Sequence, residues 1–422
     1  MEFFNENNLE LAVNPMYSAP VFAPVSGKKW IPYLDADKSQ YPDKLLYYKN
    51  NSALHGAIVR SIGRQYAGNG FTYDTSSNLS KKTEEFLTNF NEEGQDANDV
   101  LPMVAQDLYD FGGFSLAVIW SKDYKTIIGV EHVDFSKLRA ALADPSTGKI
   151  PGYFYSFNWN TQRPAIIYIP AYSELTAKEH SAKYDEAKKA FDLDPKNLEQ
   201  LEQFFKEPTT QIMYVKPYQA GQFYYPLPQY VGATNAILTS ILTDQYGVNS
   251  MENGLSVDYI VKFIGDYSDD AKKTEAQSFL NQHARASKKK RPIIAFSKIK
   301  EEMMEVDNIS GINEDKSYTK INENAQQEIL CGHGVVSPML VGIKTPGSLG
   351  GSEEIKTAEM LFYKTVIKPG QHIITKAFNR IMDINGLEEL EIERLTIIDT
   401  GNTEIPEASG APVEKPVAKP VV

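Results

Sequence analysis

At 422 residues the chain is long enough for about two to three domains and can bury its cores without disulfides or metals. Lys and Arg total 43 against 55 for Asp and Glu, a formal charge of −12, which excludes the basic footprint of a protein that wraps nucleic acid; any contact with DNA is expected to be loose. A single cysteine, Cys331, excludes an internal disulfide and any CxxC metal or redox motif, and points to a reducing compartment.

Residues 1–45 are rich in Pro, Asn and aromatics and have no sustained period, so they read as an irregular N-terminal arm with short strands such as Lys29 to Tyr33. Ser52 is placed to N-cap a helix that repeats Leu54, Ile58 and Ile62 on one face and stops at Gly68-Asn69-Gly70. A second helix is predicted over about Asp96 to Tyr109, with Val100, Leu101, Val104 and Leu108 on one face and Gly112-Gly113 as its break. Phe114 to Trp120 and Thr126 to Val130 read as a hairpin, and further strands are predicted at 153–157, 165–169 and 211–216. Between the last two, residues 175–207 are dense in Lys, Glu and Asp and read as a helical surface excursion.

Pro226 and Pro228 introduce the most regular stretch, a helix over about Gln229 to Asn253 carrying Val231, Ile237, Leu238, Ile241, Leu242 and Val248; it would be a rod of about 36 Å. Leu255, Val257, Tyr259, Val261 and Phe263 then alternate with polar residues as in a half-buried strand. A short helix with Ala276, Phe279, Leu280 and His283 follows, then the basic cluster Lys288, Lys289, Lys290 and Arg291 and a strand over Pro292 to Phe296, together a small β-α-β module. The helix at about 316–332 has a narrow apolar stripe, Tyr318, Ile321, Ala325 and Ile329, and wants partners or water on most sides. Ser337 to Ser352 holds two prolines and four glycines and reads as an irregular, mobile loop. Glu353 and Glu354 open a long helical pattern to about Ile384, kinked at Pro369-Gly370. The proline-punctuated residues 401–422 read as a disordered tail.

Motifs for localised chemistry are missing. There is no GxxxxGK[ST], and the glycines from Gly347 to Gly351 lack the lysine that would reach a phosphate. The six histidines, His55, His132, His180, His283, His333 and His372, form no HExxH or HxH, so no metal and no cofactor are expected. Cys331 near His333 is the one Cys/His pair to weigh as nucleophile and base, and its place after Ile329 and Leu330 favours ordinary packing instead. No basic, apolar leader opens the sequence and no run approaches the roughly 18 apolar residues of a membrane span, so a soluble, unsecreted product without membrane contact is expected. The reading is an α+β structural or interaction protein, not an enzyme.

The order of these elements resembles the core of bacteriophage portal proteins, the head-to-tail connectors of tailed phages. Tyr224-Tyr225-Pro226-Leu227-Pro228-Gln229-Tyr230 looks like the segment that opens the first stem helix of that family. Gly334-Val335-Val336-Ser337-Pro338-Met339-Leu340-Val341-Gly342 is similar to the ending of its second stem helix, with Ser337 in place of the familiar second proline. Gly350 to Glu354, followed by Phe362, Ile367 and Pro369, looks like its tunnel loop entering the long helix. The likeness covers about residues 46–400 and implies a portal-like fold: an N-terminal arm (1–45), an α+β wing (46–228) with the charged insert 175–207, a first stem helix (229–254), a β-α-β clip (255–312), a second stem helix (313–336), a tunnel loop (337–354), a long kinked helix with wing return (355–400) and a tail (401–422). The region after Ile398 is shorter than the helical crown that some portals carry.

The resemblance further implies a homo-oligomeric ring of about twelve subunits at one capsid vertex, assembled in the host cytoplasm, through which double-stranded DNA is packaged and later ejected. Its implied partners are the DNA, held weakly and without sequence preference, the terminase large subunit, a neck or adaptor protein, and the major capsid protein or scaffold. The expected channel-facing positions are Lys344, Thr345, Ser348, Gly350, Gly351 and Ser352, and the expected partner-facing positions of the clip are Lys288, Lys289, Lys290 and Arg291. Two other classes are weighed against this one: a phage head or neck component without a channel, and a hydrolase acting through carboxylates that the sequence does not localise.

Overall fold

The computed structural model describes residues 22–35, 38–161, 163–194, 202–205, 208–253, 260–264, 274, 293–297, 314–342 and 352–395. Helix α1 (Tyr41–Asn51) leads into α2 (Ala53–Ala67), whose N-cap Ser52 accepts a hydrogen bond from the His55 backbone N–H and whose C-cap is Gly68. Ile58, Val59, Ile62 and Tyr66 bury one face of α2 completely. Strand β1 (Phe71–Thr72) and helix α3 (Ser80–Thr88) precede α4 (Ala97–Phe111). Asp96 and Asp99 form a reciprocal capping box at the start of α4, and Gly112, at φ +83°, stops it in the left-handed conformation.

Strands β2 (Phe114–Trp120) and β3 (Ile127–His132) pair antiparallel, and β7 (Thr210–Val215) pairs antiparallel with the other edge of β2, giving the order β3-β2-β7. The apolar run of β2 lacks alternation because helices and neighbouring segments bury both of its faces. A second sheet joins β4 (Leu138–Ala140), β5 (Gly152–Tyr155) and β6 (Ile167–Pro170) in that order. The charged excursion is helix α5 (Glu174–Leu193), capped by Ser173, and only Ala177 and Ala187 are buried along it.

From residue 22 onward the irregular N-terminal segment packs on the body. Ile31 and Tyr33 are fully buried, Trp30 bridges to Ala141, and α1 already starts at Tyr41. Buried Arg139 fastens this segment: its guanidinium donates to the carbonyls of Ser136 and Leu138 at 2.7 Å and to Gln40 Oε1 at 2.9 Å, and lies 4.8 Å from the Trp159 ring. Residues 1–21 lie outside the described part.

After a 3₁₀ turn (Gln229–Ala233), α6 (Thr234–Asn253) runs for about 30 Å. Strands β8 (Ile260–Ile264) and β9 (Ile293–Ser297) pair parallel with Ile260 opposite Ile293, which is the pairing a crossover connection produces. Helix α7 (Glu314–Gly332) packs against α6 and ends near a 3₁₀ turn, Pro338–Val341. Helix α8 (Ser352–Phe362) then continues through a π-helical turn, Tyr363–Ile367, into α9 (Lys368–Asn385), and β10 (Glu391–Ile392) closes the chain against β1. The distortion expected at Pro369 is present as this π turn one step earlier: the Lys368 N–H donates to Tyr363 O. Proline has no N–H to offer Thr365, and widening the preceding turn re-pairs the backbone without breaking the helix.

Candidate functional site

The candidate site lies where the α6/α7 pair joins the α+β body. The motif that introduces α6 is a set of anchors. Tyr225 stacks on Tyr33 at 3.9 Å between ring centres; its hydroxyl donates to Ile31 O at 2.6 Å and accepts from the Ala140 N–H at 2.9 Å. Tyr230 is buried and donates to Asp110 O at 2.8 Å. Gly112 and Gly113 do more than stop α4: a Cβ on Gly112 would sit 2.3 Å from Leu227 O, and one on Gly113 would sit 2.7 Å from Val215 O. The stem is thus seated on backbone that only glycine lets come this close.

Burial along the two helices is graded. Near the wing, Ala236, Ile237, Ser240 and Ile241 of α6 and Ala325, Ile329 and Leu330 of α7 are buried. Farther out, Leu242 is 53 % exposed, Val248 56 % and Ile321 44 %. A lone chain therefore leaves these apolar positions of α6 and α7 uncovered. The expectation that Cys331 packs inward is not met: the thiol is exposed, while Ile329 and Leu330 carry the burial.

At the root of the stem a buried polar network joins three segments that are remote in sequence. His55 Nδ1 of α2 lies 2.9 Å from His333 Nε2, just beyond α7, and Tyr109 Oη of α4 lies 2.6 Å from His333 Nδ1. Beside it, Lys49 donates to Asp110 Oδ2 at 2.5 Å and Gln106 donates to Asp110 Oδ1 at 2.8 Å. Burial, and secondarily the nearby Lys49, lowers the His55 pKa to about 3; burial, and then His55, holds His333 well below the usual histidine range. Burial pushes the Asp110 carboxyl up to about 6 despite Lys49. Sequence reading treated these histidines as scattered, and no local spacing signals a pair 278 positions apart.

The expected site residues fall mostly outside the described part. Lys344, Thr345, Ser348, Gly350 and Gly351 lie there, as do Lys288, Lys289, Lys290 and Arg291, which precede β9. Ser352 is the first residue of α8 and not a loop residue. The start of the loop is more regular than expected: Pro338–Val341 form a 3₁₀ turn with Leu340 and Val341 buried, ended by Gly342 at φ +78°. Among the described residues no cluster of three His, Cys, Asp or Glu could hold a metal, and no helix is long and apolar enough to cross a membrane. His132 pairs with buried Asp107 at 2.8 Å, and that carboxylate also accepts the Phe135 N–H, an arrangement that fastens the β3 end to α4.

This architecture, an α+β body that projects a helix pair with a small parallel β unit between its arms and returns through a long distorted helix, is shared with solved structures. No family profile and no curated protein matches the sequence. By structure, the chain is similar to a chain from the neck of an empty gene transfer agent particle computed with C6 symmetry, and to one from the virion of a native gene transfer agent particle. Each comparison has a TM-score of 0.50, 13 % identity, and coverage of 84 % of this chain and 84 % of the other. At that identity the common property is the fold, one of the α+β class.

Proposed function

We propose that this chain is the portal of a phage-like particle: a structural, non-enzymatic subunit that closes into a ring of about twelve copies at one capsid vertex. The ring is the conduit for DNA packaging and ejection. It docks the terminase large subunit and later a neck or adaptor protein, and sits against the major capsid protein or scaffold. The observation that carries the reading is the fold shared over 84 % of the chain with a component of a particle neck. It is supported by the uncovered apolar positions of α6 and α7, which a ring would cover between neighbours. In this reading residues 343–351, between the 3₁₀ turn and α8, line the channel, with Lys344, Thr345, Ser348, Gly350 and Gly351 nearest the DNA and Ser352 at the entry to α8. Lys288, Lys289, Lys290 and Arg291 face the docked partner at the channel mouth.

Light scattering on the purified chain tests the reading. Twelve copies of 47.3 kDa give a particle of about 568 kDa. A stable monomer at every concentration would refute it, and a ring without a central opening in negative-stain images would favour a neck component that carries no channel.

A further inference from the structure

The helical run from Ser352 to Asn385 carries a pattern that the acidity of the whole chain conceals. Lys364, Lys368, His372, Lys376 and Arg380 follow at four-residue steps, and no Asp or Glu occurs from Met360 to Met382. All five side chains are exposed. Four-residue steps place them on one oblique ridge, about 24 Å long at 1.5 Å per residue. The far half of the ridge borders a cavity of about 480 Å³, where His372, Lys376 and Arg380 meet Lys216 beside Tyr153 and Tyr172. Lys216 is half-buried and donates to the carbonyls of Gln222 at 2.9 Å and Phe223 at 2.6 Å. Arg380 is held by Glu174 at 2.9 Å and lies over the Tyr172 ring. Among the described residues, Lys364, Lys368, His372 and Lys376 form no ion pair.

A complementary surface lies off the other side of the same sheet. Glu92 and Glu93 are exposed on the turn after α3, and Phe90 O accepts the Val130 N–H at 2.9 Å, which fixes this turn along the outer edge of β3. Glu131 stands on β3; burial, and then Glu93 and Glu92, raises its pKa, so like charges crowd there. The basic cavity opens beside β7, the opposite outer strand. An acidic knob at one edge and a basic hollow at the other are the two halves of a head-to-tail contact, the type that generates rings.

We propose that the ridge Lys364, Lys368, His372, Lys376 of one copy seats against the Glu92, Glu93, Glu131 cluster of the next, an inference that rests on the ring reading above. The occupant is a second copy and not DNA for two reasons. A hollow receives a protruding turn but not a convex duplex, and cations aligned on phosphates would hold the DNA instead of letting it pass.

Two charge-reversed chains test it: Lys368→Glu with Lys376→Glu, and Glu92→Lys with Glu93→Lys, all at exposed positions. Each chain alone is expected to fall from the ring mass to 47.3 kDa, because its two surfaces then repel. A one-to-one mixture is expected to recover the ring, since alternating copies restore every contact in an even-membered ring, and recovery also shows that both variants fold. Variants that still form rings alone overturn the docking and leave the ring reading intact, as does a mixture that stays dissociated while the wild-type chain assembles. A wild-type chain that never assembles overturns both. A Lys368→Glu/Lys376→Glu ring that forms normally but no longer retains duplex DNA shows that the ridge faces nucleic acid, and the docking falls.

Discussion

His55 and His333 form a pair in which each neutral ring supplies what the other needs. If Tyr109 donates to His333 Nδ1, then His333 Nε2 carries a proton and donates to His55 Nδ1, which leaves His55 Nε2 as a buried N–H without a partner among the described residues. Protonating His55 would set donor against donor at the His333 Nε2 contact. The unfolded chain takes up a proton at each histidine near pH 6.5, whereas folded His55 does so only near pH 3. The stability that neutral His55 confers is therefore complete above pH 6.5 and lost as pH falls toward 3, by about 1.4 kcal/mol per pH unit, and His333, also held low by burial, acts in the same direction. Asp110, raised to about 6, works in the opposite sense between pH 6 and 3.8, so the whole-protein curve mixes the two. A difference isolates the histidine. His55→Leu should cost about 1–3 kcal/mol at pH 7, because the His333 N–H is left unpaired. That deficit should shrink by about 1.4 kcal/mol per unit from pH 6.5 to pH 4. Denaturant titrations of both proteins at pH 7, 6, 5 and 4 measure it, and a deficit independent of pH would show that His55 titrates normally in the folded protein.

Between elements, Gly332 of α7 lies close against Ala233, the last residue of the 3₁₀ turn before α6; a Cβ on Gly332 would lie 2.4 Å from the Ala233 Cβ. Alanine is favoured over glycine by about 1 kcal/mol inside a helix, but forcing the two helices apart costs about 1–3 kcal/mol. Gly332→Ala should therefore lower stability, and the Gly332→Ala/Ala233→Gly pair should recover it; a stabilised single variant would mean that the helices yield freely. Much at this scale was legible because local chemistry decides it. Ser52, Asp96, Gly68 and Gly112 mark helix ends by the hydrogen bonds that their side chains or φ angles permit, and the run Phe114–Trp120 reads as a strand from its branched and aromatic residues. What escaped depends on partners distant in sequence. Tyr225 looked like part of a motif, yet its role comes from Ile31 and Ala140; Cys331 looked like a core residue because only the tertiary fold decides which way α7 turns. The four-residue spacing from Lys364 to Arg380 lies in the sequence, but nothing local to it says what the basic ridge meets.

For the molecule as a whole, the balance of −12 per chain matters more than any single charge. Twelve copies would carry about −144 formal charges, so a duplex in the bore meets walls of its own sign and few phosphates are neutralised. Weak holding suits a conduit, because every phosphate that must shed its cation contact adds a barrier to sliding. Lys344 is the one basic residue between Ser337 and Ser352. In the proposed ring it would supply one cation per subunit to a segment that holds no Asp or Glu between Ser337 and Ser352, enough to centre the duplex without gripping it. Lys344→Glu converts that ring of cations into a ring of anions and should slow DNA packaging several-fold while the particle mass stays unchanged. Packaging assays with purified heads, run at low and at physiological salt, measure this; since screening weakens exposed charges, the defect should be larger at low salt. Packaging that proceeds at the wild-type rate in both conditions would remove Lys344 from the proposed passage.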